Sequence, residues 1–206
     1  MYHPLMALSA IELENQFGRI LDQSKYLANR RNLVELSGGL TNKNIKVETE
    51  SGDFVARISS NESSLLAIDR NNEFINSKFA SEIGIGARVY DYVPDSGLLV
   101  IGYINGKTFE GQDVGENSKR IAESVRKLHS AAKFKLDFDM FEIQDRYLKI
   151  VTELGFRLPD GYLDFAKAKS DLQNALAATD TGKVPCNNDL LPANFIDDGQ
   201  KIWIID

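Results

Sequence analysis

Pro185-Cys186-Asn187-Asn188-Asp189-Leu190-Leu191-Pro192-Ala193-Asn194-Phe195-Ile196 is followed a few residues later by Ile202-Trp203-Ile204-Ile205-Asp206. This stretch decides how the rest is read. An Asp, an Asn five residues on, and an apolar strand ending on a second Asp form a specific donor set. The first Asp can orient and deprotonate a hydroxyl, and the Asn and the second Asp offer the hard oxygens that Mg²⁺ takes. The plainer alternative is an Asx-rich turn between two strands. Such turns seldom come with an apolar strand that ends on another Asp.

Upstream of that stretch, the spacing predicts helices over Ser118 to Ala132, Phe141 to Leu154 and Tyr162 to Ala178. Asn105 to Asn117 is Gly-rich and polar, which predicts a linker. The first half has a different character. Ser9 to Lys25 carries Ile11, Leu13, Phe17, Ile20 and Leu21 at helical spacing behind Ser9, a good N-cap. Leu33 to Leu36, Ile45 to Val47 and Phe54 to Ile58 have strand character, with Ser51-Gly52-Asp53 as a hairpin signal. Leu65 to Ile83 predicts a helix closed by Gly84. Arg88 to Val93 and Leu98 to Tyr103 predict two more strands, joined through Pro94-Asp95-Ser96-Gly97. The late strands are expected to flank the Asp189 loop. The pattern as a whole predicts an α+β chain of two lobes, residues 1–104 and 105–206.

Two further groups could belong with Asp189. Ser37-Gly38-Gly39-Leu40-Thr41-Asn42 lies between two strands, and its glycine pair lets backbone approach phosphate oxygens without a Cβ in the way. It lacks the Gly-Lys-Ser/Thr of a Walker-A loop, and it also suits a plain hairpin turn. Arg57 lies on a strand, and Glu73 lies in the helix that follows. A strand cation held by a helix carboxylate and offered to phosphates is a kinase arrangement, and the spacing of Asp189 and Asn194 matches the Asp-x-x-x-x-Asn of kinase catalytic loops. His129, on a helical stripe with Ile121, Val125 and Leu128, is read as a packed or capping residue. Cys186 is read as a small buried hydrophobe in a strand.

Composition narrows the classes. A net charge of −6 argues against a general nucleic-acid binder. No apolar run approaches the roughly 20 residues that span a bilayer. Met1 to Ala10 has no Lys or Arg ahead of its apolar residues, unlike a secretory signal. A single Cys rules out an internal disulfide and fits a reducing compartment, so a cytoplasmic protein is expected.

Taken in order, these segments resemble the choline/ethanolamine kinase family, and within it the bacterial choline-kinase-like members. Leu36-Ser37-Gly38-Gly39-Leu40-Thr41-Asn42-Lys43-Asn44 is similar to that family's nucleotide loop, and Val55-Ala56-Arg57-Ile58 to its phosphate-facing strand. Ile68-Asp69-Arg70-Asn71-Asn72-Glu73 followed by Gly84-Ile85-Gly86 resembles its helix and exit. Gly97 to Gly106 resembles the strand and hinge that meet adenine, and Ile121-Ala122 to Leu128-His129 the helix after the hinge.

The resemblance runs from about Arg30 to Asp206. It implies a protein-kinase-like bilobal fold, ATP, Mg²⁺ and a small amino-alcohol acceptor, choline or ethanolamine. Asp189 would be the catalytic base, and Asn194 and Asp206 the metal ligands. Ser37 to Asn42, Arg57 and Glu73 would hold phosphates, and Gly102, Tyr103 and Ile104 would meet the adenine. Related kinases of thiamine, sugars or aminoglycosides share this layout, and a nucleotide-binding module without turnover is a rival of another class.

Two departures stand out. Family members read Cys-His-Asn-Asp-Leu where this chain reads Cys186-Asn187-Asn188-Asp189-Leu190. They also continue past the metal-binding Asp into an aromatic-Glu-Tyr segment and helices that supply much of the acceptor pocket. The expectation is therefore a truncated copy with an incomplete helical lobe, whose uncovered apolar face favours self-association.

Overall fold

The computed structural model describes residues 7–36, 42–59, 69–179 and 182–205. The chain gathers into two compact units, residues 1–132 with 185–206, and residues 133–184. Neither unit begins at residue 105.

The larger unit starts with α1 (Ala10–Leu21). Its start is fixed by a reciprocal pair: the Ser9 N–H donates to Glu12 Oε2 at 2.8 Å, and the Glu12 N–H donates to Ser9 Oγ at 3.4 Å. That capping box satisfies two orphan groups of the first turn. Leu13 and Leu21 are fully buried, while Ile11, expected on the same stripe, is exposed.

Five antiparallel strands follow: β1 (Arg30–Leu36), β2 (Asn42–Thr49), β3 (Gly52–Ser59), β4 (Val89–Val93) and β5 (Leu98–Gly102). Their order in the sheet is β1-β2-β3-β5-β4. The β2–β3 hairpin pairs Thr49 with Gly52, so Glu50 and Ser51 form its loop, and Gly52 at φ 134° supplies a conformation that other residues avoid. Ile45 and Val47 on β2, Phe54, Ala56 and Ile58 on β3, and Leu98 and Val100 on β5 pack with Leu13, Leu21 and Leu27 into one core. Period-2 alternation puts Arg57 on the opposite parity, beside Asn44 and Leu99 in the ladder.

Helix α2 (Arg70–Glu82) serves that opposite side. The sequence pattern predicts a helix from Leu65, but Asp69 is the N-cap, accepting from the Asn72 N–H at 2.9 Å. Residues 60–68 lie outside the described residues. Phe74 stacks on Tyr92 of β4, with ring centroids 4.6 Å apart. Gly84, at φ 72°, ends the helix as expected.

The stretch expected as a linker is structured. It holds β6 (Lys107–Thr108) and the short α3 (Gly111–Glu116). After α4 (Ser118–His129), the chain returns to this unit in β7 (Phe195–Asp197) and β8 (Ile202–Ile204). These form a second sheet in the order β6-β7-β8. Gly106 sits where a Cβ would come within 2.5 Å of the Asp197 carbonyl oxygen, so only glycine lets β6 reach β7. Phe195, Ile202 and Ile204 are buried beneath the sheet. Ser124 Oγ on α4 donates to the Ile202 carbonyl at 2.7 Å.

The smaller unit contains α5 (Met140–Glu153) and α6 (Ala166–Ala177). Asp139 caps α5, accepting from the Phe141 N–H at 2.8 Å. Gln144 Nε2 donates to the Tyr162 hydroxyl at 2.7 Å, and Lys169 pairs with Asp145. Neither helix has a buried residue. Leu154, Phe156, Leu163, Phe165, Leu172 and Leu176 are all exposed.

Candidate active site

On β3, Arg57 Nε lies 3.2 Å from Glu73 Oε1 on α2. The two side chains are 15% and 22% exposed, so the charges meet largely out of water. The contact is an ion pair by distance rather than an aligned hydrogen bond. Arg70, one turn earlier on α2, donates through Nη1 to the other carboxylate oxygen, Glu73 Oε2, at 2.7 Å. The sequence pattern pairs Arg57 with Glu73 and does not single out Arg70. Its i, i+3 spacing from Glu73 was the available signal. Of the expected phosphate loop, Asn42 opens β2, while Ser37, Gly38, Gly39, Leu40 and Thr41 lie outside the described residues.

The acidic loop assembles through short-range bonds. The Asp189 N–H donates to Asn187 Oδ1 at 2.8 Å, an Asx turn that fixes the approach to the loop. Asn194 Nδ2 donates to the Asp189 carbonyl at 2.7 Å and to its carboxylate Oδ2 at 3.3 Å. The Asn194 N–H closes the turn onto the Leu191 carbonyl at 2.9 Å. The Ile205 N–H then donates to the Asn194 carbonyl at 2.9 Å. The structure thus brings Asp189, Asn194 and the end of β8 together. Asp206 itself lies outside the described residues.

Two expectations need correction here. Both late strands follow the Asp189 loop and neither precedes it among the described residues. Cys186 is accordingly exposed and outside any strand. The physical reason is that Pro185 and Pro192 deny ladder donors on either side of the loop.

The hinge after β5 is held from both sides. The Gly102 N–H donates to the Arg88 carbonyl at 2.8 Å and the Tyr103 N–H to the Asp53 carbonyl at 3.1 Å. Both donors are therefore engaged within the fold, which leaves Ile104 as the candidate donor of the three. Lys46, paired with Glu48 and Asp53, lies over the Tyr103 ring at 4.6 Å from its centroid.

Behind the loop, the guanidinium of Arg120 on α4 grips both Asp197 oxygens, Nη2 to Oδ1 at 2.7 Å. Asp198 Oδ1 accepts from the N–H groups of Gln200 and Lys201, each at 2.8 Å, and Oδ2 accepts from the Trp203 indole at 2.7 Å. Lys201 Nζ donates to the Gly84 carbonyl at 2.7 Å, and the Ile204 N–H to the Ile85 carbonyl at 2.9 Å. The β7–β8 hairpin is thereby tied to the exit of α2.

The Arg120 hydrogen bonds hold the Asp197 carboxyl below the ordinary aspartate range. The Lys201 backbone N–H, followed by the Trp203 indole, does the same for Asp198. Carboxyls depressed in the folded state add stability above their unfolded value of about 4 and lose it as pH falls through the folded value. Melting temperature should therefore drop below about pH 4. Arg120→Met is expected to cost about 1–2 kcal/mol at neutral pH, given the pair's partial exposure, and to flatten that acid drop. Thermal melts across pH on both proteins check this. An unchanged acid limb in the variant would mean the pair contributes nothing.

The choline/ethanolamine kinase family matches residues 33–206. The protein LicA of Haemophilus influenzae is 26% identical over 174 residues, which cover 82% of this chain and 51% of LicA. The chain thus spans about half the length of that curated relative. Among solved structures, a choline/ethanolamine kinase family protein from Mesorhizobium loti is 31% identical, with a TM-score of 0.75 over 94% of this chain and 64% of that one. A LicA structure in complex with AMP has a TM-score of 0.71 at 23% identity, over 94% of this chain and 66% of that one. These likenesses show a protein-kinase-like fold with an antiparallel N-terminal sheet, as expected. With the match extending over most of its length, this chain belongs to the choline/ethanolamine kinase family.

Proposed function

We propose that this chain carries the nucleotide and metal side of an ATP-dependent phosphotransferase that passes the γ-phosphoryl group to the hydroxyl of a small amino alcohol, choline or ethanolamine. The observation that carries the reading is the convergence on Asn194. Its side chain donates to Asp189, and its carbonyl accepts from Ile205 next to Asp206. In this reading residues 1–104 form the nucleotide lobe and 105–206 part of the catalytic lobe.

The donor set fits Mg²⁺. Because Asn194 donates through its NH₂ group, its side-chain carbonyl oxygen is the atom left to ligate, and Asp206 adds a carboxylate. Mg²⁺, when bound, neutralises charge on the β- and γ-phosphate oxygens. Asp189 orients the acceptor hydroxyl and takes its proton. Arg57, held by Glu73, faces the phosphates under the Ser37 to Asn42 loop. The adenine edge is met at the Gly102 to Ile104 backbone, with Ile104 as the donor. That a LicA structure of the same fold is in complex with AMP supports a nucleotide ligand in this reading.

The decisive experiment titrates an ATP analogue with and without Mg²⁺, then offers choline, ethanolamine, thiamine and an aminoglycoside in a coupled assay. Turnover with choline or ethanolamine upholds the reading, and turnover with another acceptor moves the substrate class. Nucleotide binding without turnover favours a binding module, the reading to which Asn187 lends weight. Asn187 braces the loop through its own short amide at the position where family members carry His. No binding of the analogue sinks the nucleotide reading altogether.

No helix among the described residues is long and apolar enough to cross a membrane. We place the activity in the cytoplasm, where an exposed Cys186 stays reduced. The exposed apolar side chains of residues 133–184 are expected to drive self-association of the 206-residue chain. Light scattering over a concentration series checks this, and a clean monomer at the highest concentration would refute it.

A further inference from the structure

Three cross-strand rows on one face of the five-stranded sheet lead from Arg57 to the hinge. Arg57 is flanked by Asn44 and Leu99, Val55 by Lys46 and Ile101, and Asp53 by Glu48. Directly paired residues share a face, and so do residues two apart on one strand. Lys46 therefore stands on the Arg57 face, one row nearer the hinge. In the third row the chain has left the ladder. Strand β5 ends at Gly102, and Tyr103 lies beyond it with its N–H on the Asp53 carbonyl at 3.1 Å.

Lys46 reaches from the middle row into the third. Its ammonium pairs with Glu48 Oε1 at 2.7 Å and Asp53 Oδ2 at 2.9 Å, and it lies 4.6 Å from the centre of the Tyr103 ring. The side chain is only 18% exposed. The hydrogen bonds to Glu48, then Asp53, hold it protonated above the ordinary lysine range, so the cation persists at neutral pH. One job of this lysine is plain. Glu48 and Asp53 are directly opposed across the ladder, and like charges so placed repel. Any cation on that row would ease them. This one also covers the Tyr103 ring, so Asp53 holds Tyr103 twice: its carbonyl takes the N–H, and its carboxylate takes the lysine that sits over the ring.

Ile104, the candidate hinge donor, comes next in the chain, and the backbone angles of Tyr103 decide where its N–H points. Adenine presents an acceptor at N1, whereas guanine carries a proton there. A donor fixed at that point bonds the first and meets a competing donor in the second.

We propose that Lys46 is a positioning residue that sets the base preference of the site: by pinning the Tyr103 ring to the end of β3, it aims the Ile104 N–H at a purine acceptor and so favours adenine over guanine nucleotides. The proposal rests on the reading of residues 102–104 as the adenine-facing hinge. Lys46 acts through Tyr103 and need not touch the nucleotide.

The test uses the full chain with Lys46→Met and Lys46→Arg. Calorimetry reads the affinity for an ATP analogue and for a GTP analogue, and amide hydrogen exchange reads the Tyr103 N–H. Lys46→Met should weaken ATP-analogue binding about tenfold and GTP-analogue binding less than about twofold, so the preference falls several-fold. Exchange at Tyr103 should quicken about tenfold relative to the rest of the sheet. Arginine keeps a cation for the ring and a fork for the carboxylates, so Lys46→Arg should hold the preference within about threefold. A lysine that only neutralised Glu48 and Asp53 would, when removed, lower the denaturation midpoint and quicken exchange evenly, with the preference unmoved. Equal affinity of the unaltered chain for the two analogues, or an unchanged preference in Lys46→Met, overturns the proposal. If the unaltered chain binds neither analogue, the adenine reading of the hinge falls by itself, and exchange still decides the pinning: a rise centred on Tyr103 upholds it, and an even rise or none rejects it. Should Lys46→Met fail to fold, Lys46→Gln, which keeps a hydrogen bond to the carboxylates without the charge, takes its place. The same loss of preference is expected there, and an unchanged preference counts against the proposal.

Discussion

Asp189→Asn is expected to lower acceptor phosphorylation about 10²–10⁴-fold, the range typical of a lost general base. Nucleotide affinity should hold within about twofold, since in its proposed role Asp189 acts on the acceptor hydroxyl and not on the nucleotide. The substitution is close to isosteric. It keeps the backbone bonds that build the loop, because the Asn187 and Asn194 side chains bond the Asp189 N–H and carbonyl. Only the 3.3 Å contact from Asn194 Nδ2 to the carboxylate oxygen changes character. The amide brings an oxygen that still accepts there, but it carries no charge and takes no proton. Choline- or ethanolamine-dependent ADP release, measured beside analogue binding, separates the two effects. Unaltered turnover would remove Asp189 from the role of base. A parallel loss of binding would mean that the loop, rather than the chemistry, had been damaged.

Phe195→Ala should be the most damaging core change near the site, at about 3–5 kcal/mol. Phe195 is the largest of the fully buried side chains among the described residues, and only 1% of it is exposed. Its ring lies 6.4 Å from that of Phe109, and its carbonyl accepts from the Phe109 N–H at 3.0 Å. It also pairs with Ile204 across the β7–β8 ladder. Truncation leaves a cavity under a three-stranded sheet whose strands are only two or three residues long, so little else holds it. Because Phe195 directly follows Asn194, the damage should reach the proposed metal ligand too. Chemical denaturation should show a large loss of midpoint, and a loss below about 1 kcal/mol would show that the site collapses around the gap.

Several of these placements were legible in the sequence, and the physics says which. Ser9 ahead of an apolar stripe at helical spacing, and the alternation of Ile45 with Val47 and of Phe54 with Ala56 and Ile58, are local signals, and they located α1, β2 and β3. Arg57 and Glu73 could be paired because a strand cation followed by a helix carboxylate, in a chain that also carries the Asp189 loop, is a kinase arrangement, and the two side chains do meet. Non-local pairing was harder to see. Lys107 and Thr108 make a strand only because Ile196 and Asp197 come back to them, so a Gly-rich polar stretch looked like a linker. Asp69 caps α2 through the Asn72 N–H, a local bond that a pattern of apolar residues does not reveal. Cys186 looked buried because its segment reads as an apolar strand, but the adjoining Pro185 offers no ladder donor and the segment is outside any strand. Arg70 was missed because a second arginine near a carboxylate reads as surface charge until its burial is known.

The tie between the late hairpin and α2 bears on how this protein can change its length. Lys201 reaches the Gly84 carbonyl from the turn, and Ile204 reaches Ile85 from the strand, so the turn between β7 and β8 is measured against a fixed pair of anchors. Most surface turns absorb an inserted residue cheaply. Here one extra residue would either break the lysine's reach or slip β8 by one position, and a slip turns Trp203 and Ile204 to the wrong faces. The Asp198–Lys201 turn is thus a poor place for an insertion, a tag or a graft, although it lies on the surface. Homologous chains that differ there are expected to change the turn and its anchors just after α2 together.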